Sequence, residues 1–423
     1  MKLYLESLGC DKNRVDAEKL LFELLQKYPG SSVTDEPSEA EIAIVNTCSF
    51  IGPAKEESIQ CILDLAQYKE TGKLEKLIVA GCLVERYKDE IRKELPEIDE
   101  ITSVKDYVKR LDHQMARVES GEKYSRYLKI AEGCDKYCSY CIIPRLRGHY
   151  RSIPKELVLE EARALVSEGA GELILVAQET TLYGTDLYKK KALAELLAEL
   201  SEIPNLQWIR ILYCYPEEIE PELIREMKRN PKVCHYLDLP IQHASDRILK
   251  RMNRRTRKEE LKEKIALLRK EMPDIALRTT IITGFPGETE EDFQEVLDFI
   301  SEMRFDRLGA FPYSQEEGTK AAEMEDQIPE KLKNQRLSQI MELQQNIAFR
   351  KAEEQIGRKL KVLVCGYDEE EKRVLCRSYM DAPDVDSYLY VFGEKKEVGS
   401  FLYAKVIDTE GYDLIGEWCE SAE

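Results

Sequence analysis

The chain has 423 residues, 43% hydrophobic and 34% charged, with 63 Lys and Arg against 81 Asp and Glu and a net charge of −18. That length predicts two or three domains, each able to bury a core, and the composition excludes a disordered or fibrous chain. An acidic balance of this size counts against broad, nonspecific nucleic-acid binding, which needs cations to displace counterions; it is compatible with a basic partner.

The opening "MKLYLESLGC" carries no apolar run before its first charges, and no stretch reaches membrane-spanning length. Both features predict a cytoplasmic protein with no membrane role. The twelve cysteines are then expected as thiols, metal ligands or redox groups rather than disulfides.

Short apolar runs at 2–6 ("KLYLE"), 42–46 ("IAIVN") and 76–80 ("KLIVA") have strand length, and helical patterns at Val15–Lys27, Pro53–Lys69 and Val84–Glu94 alternate with them. This alternation predicts an open parallel α/β sheet domain over 1–122. Cys10, Cys48 and Cys82 each follow one of those strands closely. In a parallel sheet the loops after the strands share one edge, so three cysteines distant in sequence are expected to meet.

A second series runs through 123–355. Strand-like segments at 127–133, 172–178, 206–213, 235–240, 276–283 and 307–313 alternate with helical patterns at 155–167, 192–201, 216–228, 245–252, 258–270 and 290–303. The rhythm predicts a (βα)6 barrel, complete or partial and TIM-like, with its function at the C-terminal strand ends. Thr289 and Asp292 form a capping-box start for one helix. One long helix is expected at 330–355. From 356 to 423 short strands with Gly, Asp and Pro punctuation predict a small antiparallel β-barrel. That unit holds nine Lys and Arg against fifteen Asp and Glu, net −6.

"EGCDKYCSYCIIPRLRG", residues 132–148, places Cys134, Cys138 and Cys141 directly after the first barrel strand. A structural zinc site closes with four ligands, and His149 is the only nearby candidate for a fourth. Iron–sulfur cubes take thiolates, and three of them leave one iron of a four-iron cube free for a substrate or cofactor. Cys10, Cys48 and Cys82 would leave a second such opening. Cys61, Cys214, Cys234, Cys365, Cys376 and Cys419 have no grouping and are expected as core or incidental thiols.

C-x-x-x-C-x-Y-C after a barrel strand resembles the signature of radical S-adenosylmethionine enzymes. There the free iron chelates the cofactor, and an electron sent into its sulfonium yields methionine and a 5′-deoxyadenosyl radical. "SLGCDKNRVDAE", "VNTCSF", "AGCL", "EGCDKYCSYCIIPRLRGHYRS" and "TGFPGET", in that order, resemble the methylthiotransferases, and the C-terminal unit is similar to their TRAM domain. The resemblance implies two 4Fe-4S clusters, one on Cys10, Cys48 and Cys82 and one on Cys134, Cys138 and Cys141. It also implies two S-adenosylmethionines per turnover, a reducing partner such as flavodoxin or ferredoxin, a sulfur donor and a monomeric enzyme.

One branch of that family modifies an isopentenylated adenosine in tRNA; the other modifies an aspartate β-carbon of ribosomal protein uS12. "SLGCDKN" and "VAQETTLYG" look like the protein-modifying, RimO-type branch, whereas the tRNA branch more usually carries "YGCQMN". The acidic C-terminal unit agrees with a basic protein substrate. Glu179 departs from the aspartate usual in "AQDTT". The tRNA-modifying relative and a non-enzymatic iron–sulfur carrier or scaffold are the competing readings.

By the same resemblance, Tyr140 packs on adenine. Gly284, Phe285, Pro286 and Gly287 of "GFPGE" are assigned to the adenine or methionine end, and Gln178 to the methionine moiety. Gln242 lies at the barrel mouth, where His243 reads as a satisfied hydrogen-bonding residue. Arg278 pairs with a carboxylate of cofactor or substrate, or with an internal one. Arg145 and Arg147 hold an anionic group or, more simply, belong to a solvated basic loop.

Overall fold

The computed structural model describes residues 1–114 and 116–421; Met115, Ala422 and Glu423, which the expected domains include, lie outside the described residues. The chain begins with β1 (Lys2–Ser7), α1 (Asp11–Lys27), β2 (Ser32–Val33), β3 (Ile42–Thr47), α2 (Gly52–Ala66), α3 (Tyr68–Thr71), β4 (Lys76–Gly81), α4 (Cys82–Glu94), β5 (Glu100–Ser103) and α5 (Val104–Leu111). The strands form one parallel sheet in the order β2-β1-β3-β4-β5. β3 is buried throughout, as a central parallel strand covered on both faces must be. β2, β5 and α5 were not anticipated, because "SV" and "EITS" are too short and too polar to stand out from loop.

The central unit comprises β6 (Ser125–Lys129), β7 (Ala131–Glu132), α6 (Ile143–Arg147), β8 (Arg151–Ser152), α7 (Lys155–Ser167), β9 (Glu172–Val176), α8 (Leu193–Ser201), β10 (Trp208–Ile211), α9 (Pro221–Arg229) and β11 (Val233–Asp238). It continues with α10 (Asp246–Arg251), α11 (Lys258–Glu271), β12 (Ala276–Thr283), α12 (Glu290–Met303), β13 (Arg307–Pro312) and α13 (Glu330–Glu353). Six parallel strands stand in the order β13-β12-β11-β10-β9-β6, a partial barrel whose end strands do not pair. The Thr289–Asp292 capping box is present at the start of α12. β7 and β8 form a separate two-stranded antiparallel sheet, with the intervening loop and α6 between them in the chain.

Alternate side chains of these strands enter two different cores. Leu173, Leu175, Ile209, Ile211, Leu237 and Leu277 pack under the helices. Ile174, Val176, Trp208, Tyr236 and Ala276 pack with Val362, Val364, Met380 and Ala382 of the C-terminal unit. The strands are therefore apolar on both faces, which explains their continuous hydrophobic runs.

The C-terminal unit is β14 (Lys359–Asp368), β15 (Arg373–Ser378), β16 (Leu389–Phe392), β17 (Phe401–Glu410) and β18 (Asp413–Trp418), closed in the order β14-β15-β16-β18-β17. The expected antiparallel barrel needs one correction: β16 and β18 run parallel. A ring of five strands cannot alternate direction throughout, so one neighbouring pair must run the same way. No helix among the described residues is long and apolar enough to cross a membrane.

Candidate active site

Cys48 follows β3 and Cys82 follows β4 directly, and the residues before them, Thr47 and Gly81, are register partners. β1 lies on the other side of β3, with Ser7 opposite Asn46, and Cys10 immediately precedes α1. Sheet topology alone thus brings this trio to one edge. Gly81 has a φ of +101°, and an added Cβ would collide with the Thr47 carbonyl. The tight exit that sets Cys82 at the head of α4 requires glycine. Cys48 and Cys82 are buried and Cys10 is exposed. Burial pushes the Cys82 thiol up to about 12, against the opposing pull of the Arg147 guanidinium.

Cys134, Cys138 and Cys141 occupy the loop between β7 and α6. The end of α10 pins it. The Ser139 N–H donates to the Met252 carbonyl at 2.9 Å, Ser139 Oγ donates to the Arg251 carbonyl at 2.8 Å, and Asn253 Nδ2 donates to the Tyr137 carbonyl at 2.8 Å. Burial pushes the Cys134 thiol up to about 11 and raises Cys141 as well, with Cys138 a neighbour of both. The Tyr215 hydroxyl stands 3.8 Å from Cys138 Sγ. Buried Arg254 lies over the Tyr215 ring, 4.2 Å from its centroid, and its Nε and Nη1 have no partner.

Three contacts bind the N-terminal unit to the central unit near these cysteines. Tyr213, past the end of β10, donates from its hydroxyl to Asp11 at 3.0 Å, next to Cys10. Glu316, past the end of β13, accepts from Lys55 at 2.9 Å and from Arg86 at 2.8 Å, while Arg86 also donates to the Ser49 carbonyl at 2.9 Å, next to Cys48. The third is a buried charge cluster. Lys129 meets Asp16 at 2.6 Å, Glu132 at 3.1 Å and Asp112 at 3.2 Å; Arg147 meets Asp16 at 2.5 Å and Glu132 at 3.1 Å. Burial alone would raise the Glu132 carboxyl, but Arg147 and Lys129 hold it down at about 2. Arg147 is therefore not in a solvated loop; its exposure is 3%. Arg145 does remain exposed.

Comparison with known proteins agrees with this architecture. Residues 128–300 match the Radical SAM superfamily, residues 2–103 the Uncharacterized protein family UPF0004 and residues 356–419 the TRAM domain. The chain is 52% identical to the ribosomal protein uS12 methylthiotransferase RimO of Lachnoclostridium phytofermentans, over 98% of this chain and 99% of that one. It is 48% identical to the protein of the same name from Geobacter sulfurreducens, over 98% of each. The chain belongs to the RimO methylthiotransferase family.

It is a radical S-adenosylmethionine enzyme of that family. Among solved structures, the radical S-adenosylmethionine methyltransferase TsrM from Kitasatospora setae, with cobalamin and a [4Fe-4S] cluster bound, shares the fold at a TM-score of 0.56 and 12% identity over 74% of each chain. The cobalamin-dependent enzyme OxsB shares it at 0.52 and 13% identity, over 82% of this chain and 56% of that one.

The donor chemistry fits iron–sulfur cubes for this family member. Each trio is all sulfur, and the unpartnered nitrogens of Arg254 beside Cys138 supply positive charge toward an anionic group. Among the described residues, no three His, Cys, Asp or Glu side chains gather as ligands of a single metal ion do.

The other expected contacts divide. Gln178 donates from Nε2 to Glu132 at 2.6 Å and leaves a buried Oε1 without a partner. Tyr140 packs against Ile248, Met252, Phe285 and Tyr313. Gln242 has a φ of +72° and bridges to β12, donating its N–H to the Thr280 carbonyl at 2.8 Å. In "GFPGE", Glu288 accepts the Gly284 N–H at 2.9 Å, pairs with Arg336 of α13 at 2.6 Å and meets His243 at 3.3 Å.

A Cβ on Gly284 would strike Lys333 of α13, and one on Gly287 would strike Asp326. Phe285 is fully buried against Tyr313, and the Pro286 carbonyl accepts from Arg251 at 3.1 Å. Close packing of the chain thus requires these glycines. Arg278 takes the internal one of its two expected partners, not a cofactor or substrate carboxylate. It pairs with Asp238 at 3.1 Å and lies 3.7 Å from Asp386 of the C-terminal barrel, because its place near the start of β12 is under that barrel. The internal pair is the one that forms.

Arg254 and Tyr215 beside Cys138, and Asn13 beside Cys82, escaped the sequence reading, since each lies far along the chain from the cysteine it approaches. Glu179 is buried beside Cys134, accepts from the Thr181 N–H at 3.0 Å and leaves Oε2 unpartnered. Burial pushes its carboxyl up to about 8 from an ordinary 4.5. The unfolded chain then binds fewer protons between those values, so stability falls as pH rises through that window. Glu179→Gln, which keeps the shape without the ionisation, is expected to stabilise the metal-free chain by on the order of 2 kcal/mol at about pH 8 and little at about pH 5. Urea unfolding at both pH values tests this; equal shifts at the two would refute it.

Proposed function

We propose that this enzyme adds a methylthio group to the β-carbon of an aspartate in ribosomal protein uS12, using a 4Fe-4S cluster on each cysteine trio and two S-adenosylmethionines per turnover. The supporting observation is the contact across the domain junction, where Arg147 of α6, six residues after Cys141, lies beside Cys82 at the head of α4. The names of the relatives supply the substrate, and the net −6 of residues 356–423 suits a basic ribosomal protein.

When bound, the clusters and S-adenosylmethionine supply the radical and the sulfur that an unactivated C–H bond demands and acid–base side chains cannot. The chain supplies position and dryness. Its buried thiols keep their protons until they ligate, so loading the sites releases protons. Tyr140, Gln178, Gln242 and the Gly284–Gly287 turn are the groups assigned to S-adenosylmethionine, Phe285 through its backbone. The bonds from α10 to Ser139 and from Asn253 to Tyr137 hold the loop rigid, which keeps reacting partners aligned.

Mass spectrometry of uS12 from cells with and without this gene is the decisive comparison. A gain of one methylthio group on an aspartate, present only with the gene, is expected. Unchanged uS12 alongside gene-dependent methylthioadenosine in tRNA would replace this reading with the tRNA-modifying one.

A further inference from the structure

Arg147 follows Cys141 by six residues, at the end of α6, yet its side chain leaves its own cysteine loop and enters the other domain. α6 is driven there by packing: Ile142 and Leu146 join Leu20, Ala80, Cys82, Val104, Tyr107 and Leu111 in a single apolar cluster. The guanidinium that follows them is fully enclosed. Nη1 donates to Asp16 at 2.5 Å and to Glu132 at 3.1 Å, and Nη2 donates to Asn13 Oδ1. Asn13 is itself held, donating to the Leu8 and Thr47 carbonyls at 3.1 Å each, and its Oδ1 stands 3.8 Å from Cys82 Sγ. Arg147 also borders Cys82 directly and lies near Cys48.

A permanent positive charge thus rests against the N-terminal trio, locked at a fixed angle by two carboxylates and an amide. It comes from the segment that carries the other trio. Guanidinium keeps its charge at any working pH, so the arrangement is a fixed field and not a titrating switch.

We propose that Arg147 is a positioning residue that sets the reduction potential of the cluster held by Cys10, Cys48 and Cys82; this rests on the two-cluster reading above. Adding one electron to a cluster adds one negative charge, and a cation in a dry site favours that reduced state. Docking of the barrel loop would therefore make the N-terminal cluster easier to reduce than the N-terminal domain could make it alone.

The test uses the full chain with Cys134, Cys138 and Cys141 replaced by alanine, reconstituted without oxygen so that only the N-terminal cluster is present. Dithionite supplies the electrons, and electron paramagnetic resonance follows the reduced cluster during a redox titration. Arg147→Gln is expected to move the midpoint to a more negative potential, while Arg147→Lys stays nearer the parent. Should Arg147→Gln fail to fold, Arg147→Gln with Asp16→Asn removes one charge of each sign and relieves the imbalance. Its midpoint is still expected below the parent's, because the guanidinium borders Cys82 and Asp16 does not. A loaded cluster with an unchanged midpoint overturns the inference alone. A background chain that takes up no cluster overturns the two-cluster reading and the inference with it.

Discussion

Replacing Cys134, Cys138 and Cys141 together with alanine is expected to remove about half of the iron from the reconstituted enzyme and all of its reductive cleavage of S-adenosylmethionine. The fold should survive, because backbone and side-chain bonds from Ser139 and Asn253 pin the loop and none of them uses a thiol. The matching change at Cys10, Cys48 and Cys82 is expected to remove the other half while cleavage continues, since the barrel trio stays intact. Iron analysis and chromatography of 5′-deoxyadenosine read the two outcomes separately. Deoxyadenosine formed by the first variant would end the assignment of cofactor cleavage to the barrel trio.

Asp16→Asn should produce the largest loss of stability. Asp16 accepts from both Lys129 and Arg147, and all three side chains are essentially withdrawn from solvent. Removing one partner of a buried pair leaves uncompensated charge, at a cost of about 3–5 kcal/mol. The loss should fall on the junction, because Asp16 comes from α1 and both cations come from the central unit. The expected signature is a lower unfolding midpoint, with amide protons of α1 and β6 exchanging faster than those of the C-terminal barrel.

The same cluster predicts acid lability. Glu132 titrates at about 2 in the folded chain against an ordinary 4.5, so the unfolded state binds more protons between those values. Stability present above about pH 4.5 is lost as the pH falls toward 2. A variant melting with the parent, protected equally in α1, would show that the cluster does not hold the domains together.

Much of this was legible in the residues themselves. Strand-length apolar runs alternating with helical patterns placed β1, β3, β4 and the six barrel strands close to where they lie, and the Thr289 cap set the start of α12. The short strands β2 and β5 were invisible because two to four residues carry too little periodicity to register. The placing of Cys10, Cys48 and Cys82 at one edge was legible for a topological reason. Carboxyl ends of parallel strands share an edge, so position along the sequence already implies proximity in space.

Charge was harder to read. "PRLRG" contains two arginines two positions apart; Arg145 is exposed and Arg147 is enclosed between domains. The difference arises from Asp16 and Asn13, more than a hundred residues earlier in the chain. Arg278 tells the same story, since Asp386 reaches it from the C-terminal barrel.

The sequence by itself determined the three-part architecture, the family and the sheet edge that Cys10, Cys48 and Cys82 share, because periodicity and strand-end position act locally and the sheet topology does the rest. Only the tertiary structure decided which charged side chains face the sulfurs and which brace the frame. Burying a charge depends on finding its partner, and here those partners come from other domains.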